Sequence, residues 1–210
     1  MNTHTVSPSR TLPAQPIKLY RAAVSGHAHR VELFLSLLGL PFELVNVDLA
    51  AGAHKQAAFL ALNPFGQVPV IQDGTFTLAD SNAILVYLTR SYAANSEQWL
   101  PSEPVAAGPL AFGPAYARVI QLFKSSASPD DAIARAHGLF KVMEQQLGVS
   151  AFLAGSTVTL ADVANYSYVA RAPEGNVSLI GYPNLRVWLA RFEALPGFVP
   201  MVKTPIGLPE

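Results

Sequence analysis

The stretch NPFGQVPVIQDGTFTLADSNAIL, residues Asn63–Leu85, combines a proline-containing strand, a hairpin turn and the start of a helix. The run VPVIQ predicts a β-strand, but Pro69 lacks the N–H that a central strand needs. Pro69 is either a trans proline at the start of an edge strand, which is the commoner form, or the Val68–Pro69 bond is cis. A cis bond would turn the chain and leave the backbone N–H and C=O of Val68 free to hold an extended peptide.

The residues that follow predict a hairpin and then a helix. Asp73-Gly74 is a two-residue turn signal that joins VPVIQ to a second strand, TFTL. Asp80 is the expected N-cap of a helix over about residues 81–91, whose first free N–H groups could bind a carboxylate. Apolar residues recur on one face of that helix: Ile84, Leu85 and Leu88. A strand edge so close to a helix N-terminus predicts a groove for a short anionic peptide.

The composition argues against several kinds of partner. The 210 residues include 14 Lys and Arg and 14 Asp and Glu, so the formal net charge is zero and no broad basic field attracts nucleic acid. Apolar runs stop well short of the roughly 20 residues of a membrane-spanning helix, and residues 1–16 lack the apolar core of a signal peptide. We expect no nucleic-acid partner, no membrane association and a cytoplasmic location.

The segments before this stretch resemble a known family. They are a strand, IKLY, a helical segment, SGHAHRVELFLSLLGL, and a second strand, PFELVNV. From Ile17 to Tyr92 the chain is similar to the thioredoxin-like, glutathione-binding domain of the glutathione S-transferase family. In that family a Val-Pro pair precedes the third strand, and an acidic residue followed by serine begins the third helix. The resemblance implies an α/β domain with a mixed four-stranded sheet and helices, followed by an all-α helical bundle.

The resemblance and the helical pattern divide the chain into four parts. They are a flexible extension (1–16), the thioredoxin-like domain (17–92), a linker (93–104) and an all-helical domain (105–210). Helices in the last part are expected over residues 105–126, 129–146, 160–171 and 184–194. The run STVTLAD matches the family's capping motif, with Thr159 as N-cap and Asp162 returning a hydrogen bond to it.

Ser25 is the expected catalytic residue. The match of SGHAHRVEL to the serine-type, bacterial-type branch of the family places Ser25 where a hydroxyl hydrogen-bonds the glutathione sulfur. The hydroxyl and the helix N–H dipoles would stabilise a thiolate, because a free thiol is only slightly ionised at neutral pH. Two alternatives stay open. Ser25 could simply cap the helix, or Tyr20 could serve the sulfur.

His27, His29 and Arg30 follow Ser25 and invite a metal-site or catalytic-triad interpretation. Histidines two residues apart face different sides of a helix, and no cysteine or acidic cluster accompanies them. We expect no metal, and we expect these side chains to cap or solvate the start of the helix. Contact with a ligand is the lesser alternative, and an acidic partner is an alternative for Arg30.

The resemblance also implies which residues bind glutathione. The backbone of Val68 is expected to pair with the cysteinyl residue, and Asp80 and Ser81 are expected to hold the γ-glutamyl end. Many relatives have Glu in place of Asp80, so the shorter side chain could leave direct contact to Ser81 and the backbone. His54 is expected near the glycine carboxylate, and Gln67 is a further expected contact.

A pocket for the second substrate is expected between the domains. Large apolar residues recur there at about helical spacing: Phe112, Tyr116, Ile120 and Phe123. Most are expected to pack in the core, and Tyr116 is the one expected to face an electrophile.

The implied activity is a transferase reaction in which the glutathione thiolate attacks a small apolar electrophile, in a detoxifying homodimer. Glutathione is a co-substrate, and no cofactor is expected. The chain contains no cysteine, so a mixed disulfide with the ligand is excluded. The alternatives are another glutathione-dependent activity, as a peroxidase, isomerase or dehalogenase, or a non-catalytic binding module on the same fold.

Overall fold

The computed structural model describes residues 12–100 and 112–209. Most of the expected extension, the end of the expected linker and the start of the helix expected from residue 105 lie outside this range. Within it, no helix is long and apolar enough to cross a membrane.

A four-stranded mixed sheet forms the N-terminal domain. Its strands are β1 (Ile17–Arg21), β2 (Phe42–Asn46), β3 (Val70–Asp73) and β4 (Phe76–Ala79), in the order β2-β1-β3-β4. β1 is parallel to β2, whereas β3 is antiparallel to both β1 and β4. The central strands β1 and β3 are the most buried, because helices cover the sheet. The thioredoxin-like sheet expected from the sequence is confirmed.

The hairpin between β3 and β4 turns one residue later than the sequence predicted. Asp73 pairs with the first residue of β4, so Gly74 and Thr75 form the turn. Gly74 has a φ of +57°, which favours glycine. The Asp73 carboxylate accepts hydrogen bonds from the hydroxyls of Tyr87 and Tyr92, and these bonds help to keep Asp73 in the strand.

Helices complete the first domain and build the second. The first domain contains α1 (Gly26–Leu37), α2 (Ala57–Leu60) and α3 (Ser81–Tyr92). The connection contains a short helix, α4 (Ser96–Trp99), which the sequence did not predict and which Asn95 caps. The second domain contains α5 (Phe112–Leu122), α6 (Asp130–Leu147), α7 (Leu160–Ala170) and α8 (Pro183–Glu193). The α-helical second domain is confirmed.

Helix α5 ends four residues before the predicted residue 126. Lys124 has a φ of +50°, and the N–H of Ser125 bonds to the C=O of Ile120 at 3.0 Å. This is the hydrogen-bond pattern of a Schellman C-cap, here built on lysine in place of the usual glycine. Phe123 continues the apolar pattern one residue past the helix end and no glycine marks the cap, so the pattern alone extended the helix too far.

Helix α1 lies at the junction of the two domains, and His29 is buried in that junction. Its Nε2 bonds to the C=O of Val199 at 2.9 Å, and its Nδ1 lies 2.9 Å from the hydroxyl of Ser167 on α7. Because a carbonyl only accepts, Nε2 carries the proton and Nδ1 accepts from Ser167. The expectation that His29 and Arg30 are solvated is wrong, since they are 4% and 2% exposed.

The capping box at the start of α7 is confirmed. Thr159 is the N-cap, and the carboxylate of Asp162 accepts from the Thr159 N–H at 2.9 Å. The same carboxylate accepts from the N–H of Leu153 at 2.9 Å and from the indole N–H of Trp188 at 2.8 Å. Asp162 is fully buried and joins α7, the preceding loop and α8.

Replacing Asp162 by Ala should lower the free energy of unfolding by about 3 kcal/mol, because it leaves several buried donors without an acceptor. Urea denaturation measures the loss. The control is Asp131→Ala, whose exposed ion pair with Arg135 contributes less than about 1 kcal/mol. Equal losses in the two variants would contradict the role assigned to Asp162.

His29 should also make stability depend on pH. Burial lowers the pKa of His29 from 6.5 to about 4, so protonation favours the unfolded chain. Its contribution is complete above pH 6.5 and is lost as the pH falls towards 4, by about 3 kcal/mol. His29→Gln should flatten that part of the stability profile, measured by urea denaturation across this range. A profile as steep as that of the unchanged protein would rule this out.

Candidate functional site

A cavity of about 930 Å³ opens where the N-termini of α1 and α3 meet the loop before β3. Its volume is in the range of small-molecule sites. Six residues expected from the sequence line it: Ser25, His54, Gln67, Val68, Asp80 and Ser81. Tyr20 and Tyr116 do not line it.

Ser25 is the N-cap of α1. Its backbone is extended, with φ −84° and ψ 113°, and its Oγ accepts a hydrogen bond from the N–H of Ala28 at 3.2 Å. A hydroxyl has two acceptor lone pairs and one proton. The cap uses only a lone pair, so the same hydroxyl can still donate its proton to a ligand in the cavity.

Tyr20, the alternative to Ser25, is engaged elsewhere. Its hydroxyl donates to Oε1 of Gln72 on β3 at 2.6 Å, and its ring packs edge-on against Phe59. These contacts hold the side chain between the sheet and α2.

The backbone of Val68 is exposed to the cavity at the point where the chain bends before β3. The Val68–Pro69 bond is cis, which resolves the alternatives left by the sequence. Within residues 12–100 and 112–209, neither the N–H nor the C=O of Val68 is hydrogen-bonded to another residue. Both groups are therefore available to an extended ligand.

Asn63 fixes the loop that leads to Val68. Its side-chain amide donates to the C=O of Gln67 at 2.9 Å, and its Oδ1 accepts from the N–H of Phe65 at 3.1 Å. Asn63 is buried, although the loop around it is largely exposed. The sequence reasoning missed this residue, although the turn-forming run NPFG was a signal for it.

The start of α3 combines a cap with an unusual backbone. The Asp80 carboxylate accepts from the N–H groups of Asn82 and Ala83, both at 2.9 Å. Asp80 has φ 72° and ψ 118°, a conformation that costs a non-glycine residue about 1–3 kcal/mol and often marks functional sites. Ser81, the first residue of α3, is buried but lines the cavity.

His27 also lines the cavity, between Ser25 and Ser81, and the sequence reasoning did not include it among the site residues. Its Nδ1 lies 3.5 Å from the Ser81 hydroxyl, and its ring packs edge-on against Tyr168. His27 is exposed towards the cavity, but burial of the other side of its ring against Tyr168, with a smaller effect of Arg30, lowers its pKa to about 4. The imidazole is therefore neutral at neutral pH.

His54 and Lys55 form the far wall of the cavity, in the 3₁₀ turn Ala53–Lys55. The Lys55 ammonium lies 3.4 Å from the C=O of Phe65. Gly66 packs so closely that a Cβ there would lie 2.7 Å from the His54 carbonyl, and its φ is +60°. Among the described residues, no group of three or more His, Cys, Asp or Glu side chains is arranged to hold a metal ion.

Arg30 and Tyr168 pack behind the residues that line the cavity. Arg30 donates to Oδ1 of Asn82 at 3.1 Å, and its guanidinium lies 5.9 Å from the centre of the Tyr168 ring. Burial lowers the pKa of Arg30. The Tyr168 ring packs on Gly26, where a Cβ would lie 2.7 Å from the ring. Side chains from α1, α3 and α7 thus meet behind Ser25.

Tyr116 lies on α5 and is 43% exposed. Of the residues that share its spacing, Ile120 is buried in the core and Phe123 is exposed beyond the helix end. The side chain of Phe112 lies outside the described residues. The structure therefore does not bring Tyr116 together with the six residues around the cavity.

This fold and cavity define a two-domain protein whose thioredoxin-like domain has a cavity of small-molecule size at the N-terminus of α1. Residues 15–90 match the family described as "Glutathione S-transferase, N-terminal domain", and residues 106–196 match "Glutathione S-transferase, C-terminal domain". The chain belongs to the glutathione S-transferase family, which is a family of transferases.

Named relatives agree with this assignment. "Glutathione S-transferase 3" of Zea mays is 36% identical, over 87% of this chain and 91% of the maize protein. "Glutathione S-transferase theta-2B" of Homo sapiens is 31% identical, over 86% of this chain and 82% of the human protein. The crystal structure of a glutathione S-transferase from Pseudomonas fluorescens matches this fold with a TM-score of 0.76. The match covers 89% of this chain and 99% of the Pseudomonas chain, at 35% sequence identity.

Proposed function

We propose that this protein binds glutathione in the cavity and activates its thiol for attack on a small apolar electrophile. The observation that carries the proposal is the convergence of Ser25, Val68 and Ser81, from three separate segments, on one cavity. A hydroxyl at a helix N-terminus, an unpaired backbone segment before a strand and a second helix N-terminus suit the three parts of an anionic tripeptide.

The role proposed for Ser25 is to donate a hydrogen bond to the glutathione sulfur. Its acceptor side is occupied by the Ala28 N–H, which polarises the hydroxyl and orients its proton away from the helix. The positive end of the α1 dipole adds to this effect. The engagement of Tyr20 with Gln72 supports Ser25 over Tyr20 for this role.

The chemistry needs no covalent intermediate with the enzyme. The thiol releases its proton to solvent, and the thiolate lone pair forms a C–S bond with the electrophile. The leaving group departs with its bonding electrons. Lowering the thiol pKa by one unit corresponds to about 1.4 kcal/mol, which a well-placed hydroxyl and a helix dipole can supply.

The remaining residues are proposed to position glutathione. The N–H and C=O of Val68 would pair with the cysteinyl residue, and Ser81 with the N-terminus of α3 would hold the γ-glutamyl carboxylate. Asp80 already accepts two backbone N–H groups, so its proposed role is to shape the turn while one oxygen remains for the ligand amino group. His54 and Gln67 would approach the glycine end.

The rest of the proposal concerns the surroundings of the site. The electrophile would enter from the helical domain, with Tyr116 as a contact, because this side chain is exposed on α5. Glutathione would act as co-substrate without a further cofactor. A homodimer in the cytoplasm is proposed on the family resemblance and on the cysteine-free composition.

Calorimetry tests the function directly. Glutathione is titrated into the protein, and a generic aromatic electrophile is then added to the same cell. Binding followed by conjugation heat is the expected result. Binding without turnover would favour another glutathione-dependent reaction, such as peroxide reduction, and absence of binding would favour a non-catalytic module.

Replacing Ser25 by Ala should raise the pKa of the bound thiol by about one unit and so lower turnover about tenfold at pH values below that pKa. The rising limb of the pH–rate profile should move to higher pH. The lost cap should cost about 1 kcal/mol of stability. Ser36→Ala is the matched control, because Ser36 lies on the same helix and bonds to Gly197, away from the cavity. An unshifted profile in Ser25→Ala would defeat the assigned role.

Replacing Ser81 by Ala should weaken glutathione binding about tenfold, because a hydrogen bond to a charged group contributes roughly 1.5 kcal/mol or more. Thermal stability should change little, since Asp80 still caps α3. Calorimetric titration measures the affinity, and Ser91→Ala near the other end of α3 is the control. Unchanged affinity would remove Ser81 from the site.

A further inference from the structure

We infer that Arg118, on α5 of the helical domain, positions the Ser25 hydroxyl to donate its hydrogen bond to the glutathione sulfur. Arg118 does not line the cavity, so it acts through the backbone of the loop that carries Ser25. The inference rests on the function proposed above for Ser25.

The contact that carries the inference lies one peptide group from Ser25. Nη1 of Arg118 donates to the C=O of Val24 at 2.8 Å. The Ser25 N–H belongs to the same planar peptide group, and it bonds to the C=O of Ala22 at 2.9 Å. Both polar ends of this peptide group are therefore held, one of them by the other domain.

The bonds around Ser25 leave its side chain little freedom. On its C-terminal side, the C=O of Ser25 accepts from the N–H of His29 at 2.8 Å. With the peptide groups on both sides fixed and Oγ bonded to Ala28, the hydroxyl position follows from the backbone. A shift of about 1 Å in such a group can cost roughly a hundredfold in rate.

Arg118 is itself anchored in the helical domain. Its side chain is 1% exposed, and its Nε lies 2.6 Å from Oε2 of Glu174. Glu174 also accepts from the N–H of Thr204 at 3.1 Å and from its hydroxyl at 2.5 Å. Gly175 packs on this part of α5, where a Cβ would lie 2.6 Å from the Arg118 backbone nitrogen. The guanidinium group that donates to Val24 is therefore held in position by the helical domain.

Only an arginine suits this arrangement. The guanidinium is a planar fork, so Nε meets Glu174 while Nη1 meets Val24. Lysine carries the same charge on one nitrogen and cannot reproduce both bonds in these directions. Arg118→Lys therefore keeps the positive charge beside Glu174 and removes the defined bond to Val24.

The experiment compares Arg118→Lys with Thr204→Val. Thr204→Val removes a bond to the same Glu174 carboxylate but leaves the Val24 contact alone, so it reports a purely structural loss. Ultraviolet absorbance of the bound thiolate against pH gives the thiol pKa, and steady-state kinetics separate kcat from KM. Glutathione itself is the probe.

Arg118→Lys should raise the bound thiol pKa by about one unit and lower kcat at least about tenfold. KM for glutathione should stay within about twofold, because the groups proposed to hold its ends lie on other elements. Thr204→Val should lose stability without moving the thiol pKa. The inference is overturned if both variants change the pKa and kcat alike, or if neither changes them.

A ligand-free measurement separates this inference from the proposed function. Hydrogen exchange at the Ser25 amide, whose N–H bonds to the C=O of Ala22, should become faster in Arg118→Lys and stay unchanged in Thr204→Val. Unchanged exchange in Arg118→Lys overturns the inference whether or not glutathione binds. Failure of the unchanged protein to bind glutathione counts against the proposed function alone.

A double variant guards against misfolding. Arg118→Met combined with Glu174→Gln removes both charges of this ion pair together, so neither is left facing an uncharged partner. Arg171, whose Nε lies 3.8 Å from Oε1 of Glu174, keeps its hydrogen bond to the C=O of Met201 in this variant. It also lacks the donor to Val24, so the same rise in thiol pKa and the same faster exchange are expected. A thiol pKa equal to that of the unchanged protein in this variant would again overturn the inference.

Discussion

Helix α1 must satisfy two domains at once, and the neutral imidazole of His29 meets that requirement at the junction. One ring nitrogen bonds to the C-terminal tail and the other to α7, and burial lowers the pKa of the ring so that it stays uncharged at neutral pH. Buried polar groups need such partners, because a missing partner costs about as much as several favourable contacts contribute. The direction of α1, and with it the placement of its N-terminus, depends on this junction.

The candidate site is built from dipoles more than from charges. Ser25, the neutral His27 and the N-termini of α1 and α3 all present polar groups without a formal charge to the cavity proposed for glutathione. Such groups, when held in advance, stabilise a developing or resident anion without reorganising around it. The buried cation Arg30 does not line the cavity and donates a hydrogen bond to Asn82. Its positive charge therefore contributes to the electrostatic potential of the cavity from a distance.

Local signals predicted most of the fold. Helices α6, α7 and α8 agree with the sequence within one residue at each end. Apolar periodicity marks all three, α6 and α7 have acidic first turns, α7 has a capping box and α8 begins with Pro183. The hairpin shifted by one residue because Asp73 is held by two tyrosines whose contact the sequence could not reveal. The α5 end was missed for a related reason, since a lysine occupies the left-handed position that glycine usually marks.

The residues of the candidate site also divide into those that the sequence could predict and those that depend on distant contacts. The six residues around the cavity were named through resemblance to a family, and periodicity alone would not have grouped Ser25 with Val68 and Ser81. The burial of His29 and the contact of Arg118 could not be predicted. Their hydrogen-bond partners are backbone carbonyls that lie 170 and 94 residues away in the sequence. The identity of a polar residue gives no information about a partner at that distance. Asn63 and His27 had only weak local signals, a turn and a position two residues after Ser25.

The contact between Gly26 and Tyr168 limits how freely the two halves of this chain can be exchanged. The ring from α7 occupies the space that any side chain at position 26 would need. A chimera that joins this N-terminal domain to the helical domain of a relative would have a gap next to Gly26, behind Ser25, unless that helical domain also has an aromatic residue at the position of Tyr168. The reverse chimera requires glycine at the first residue of α1. At this contact the two domains are therefore matched to within the space of one methyl group.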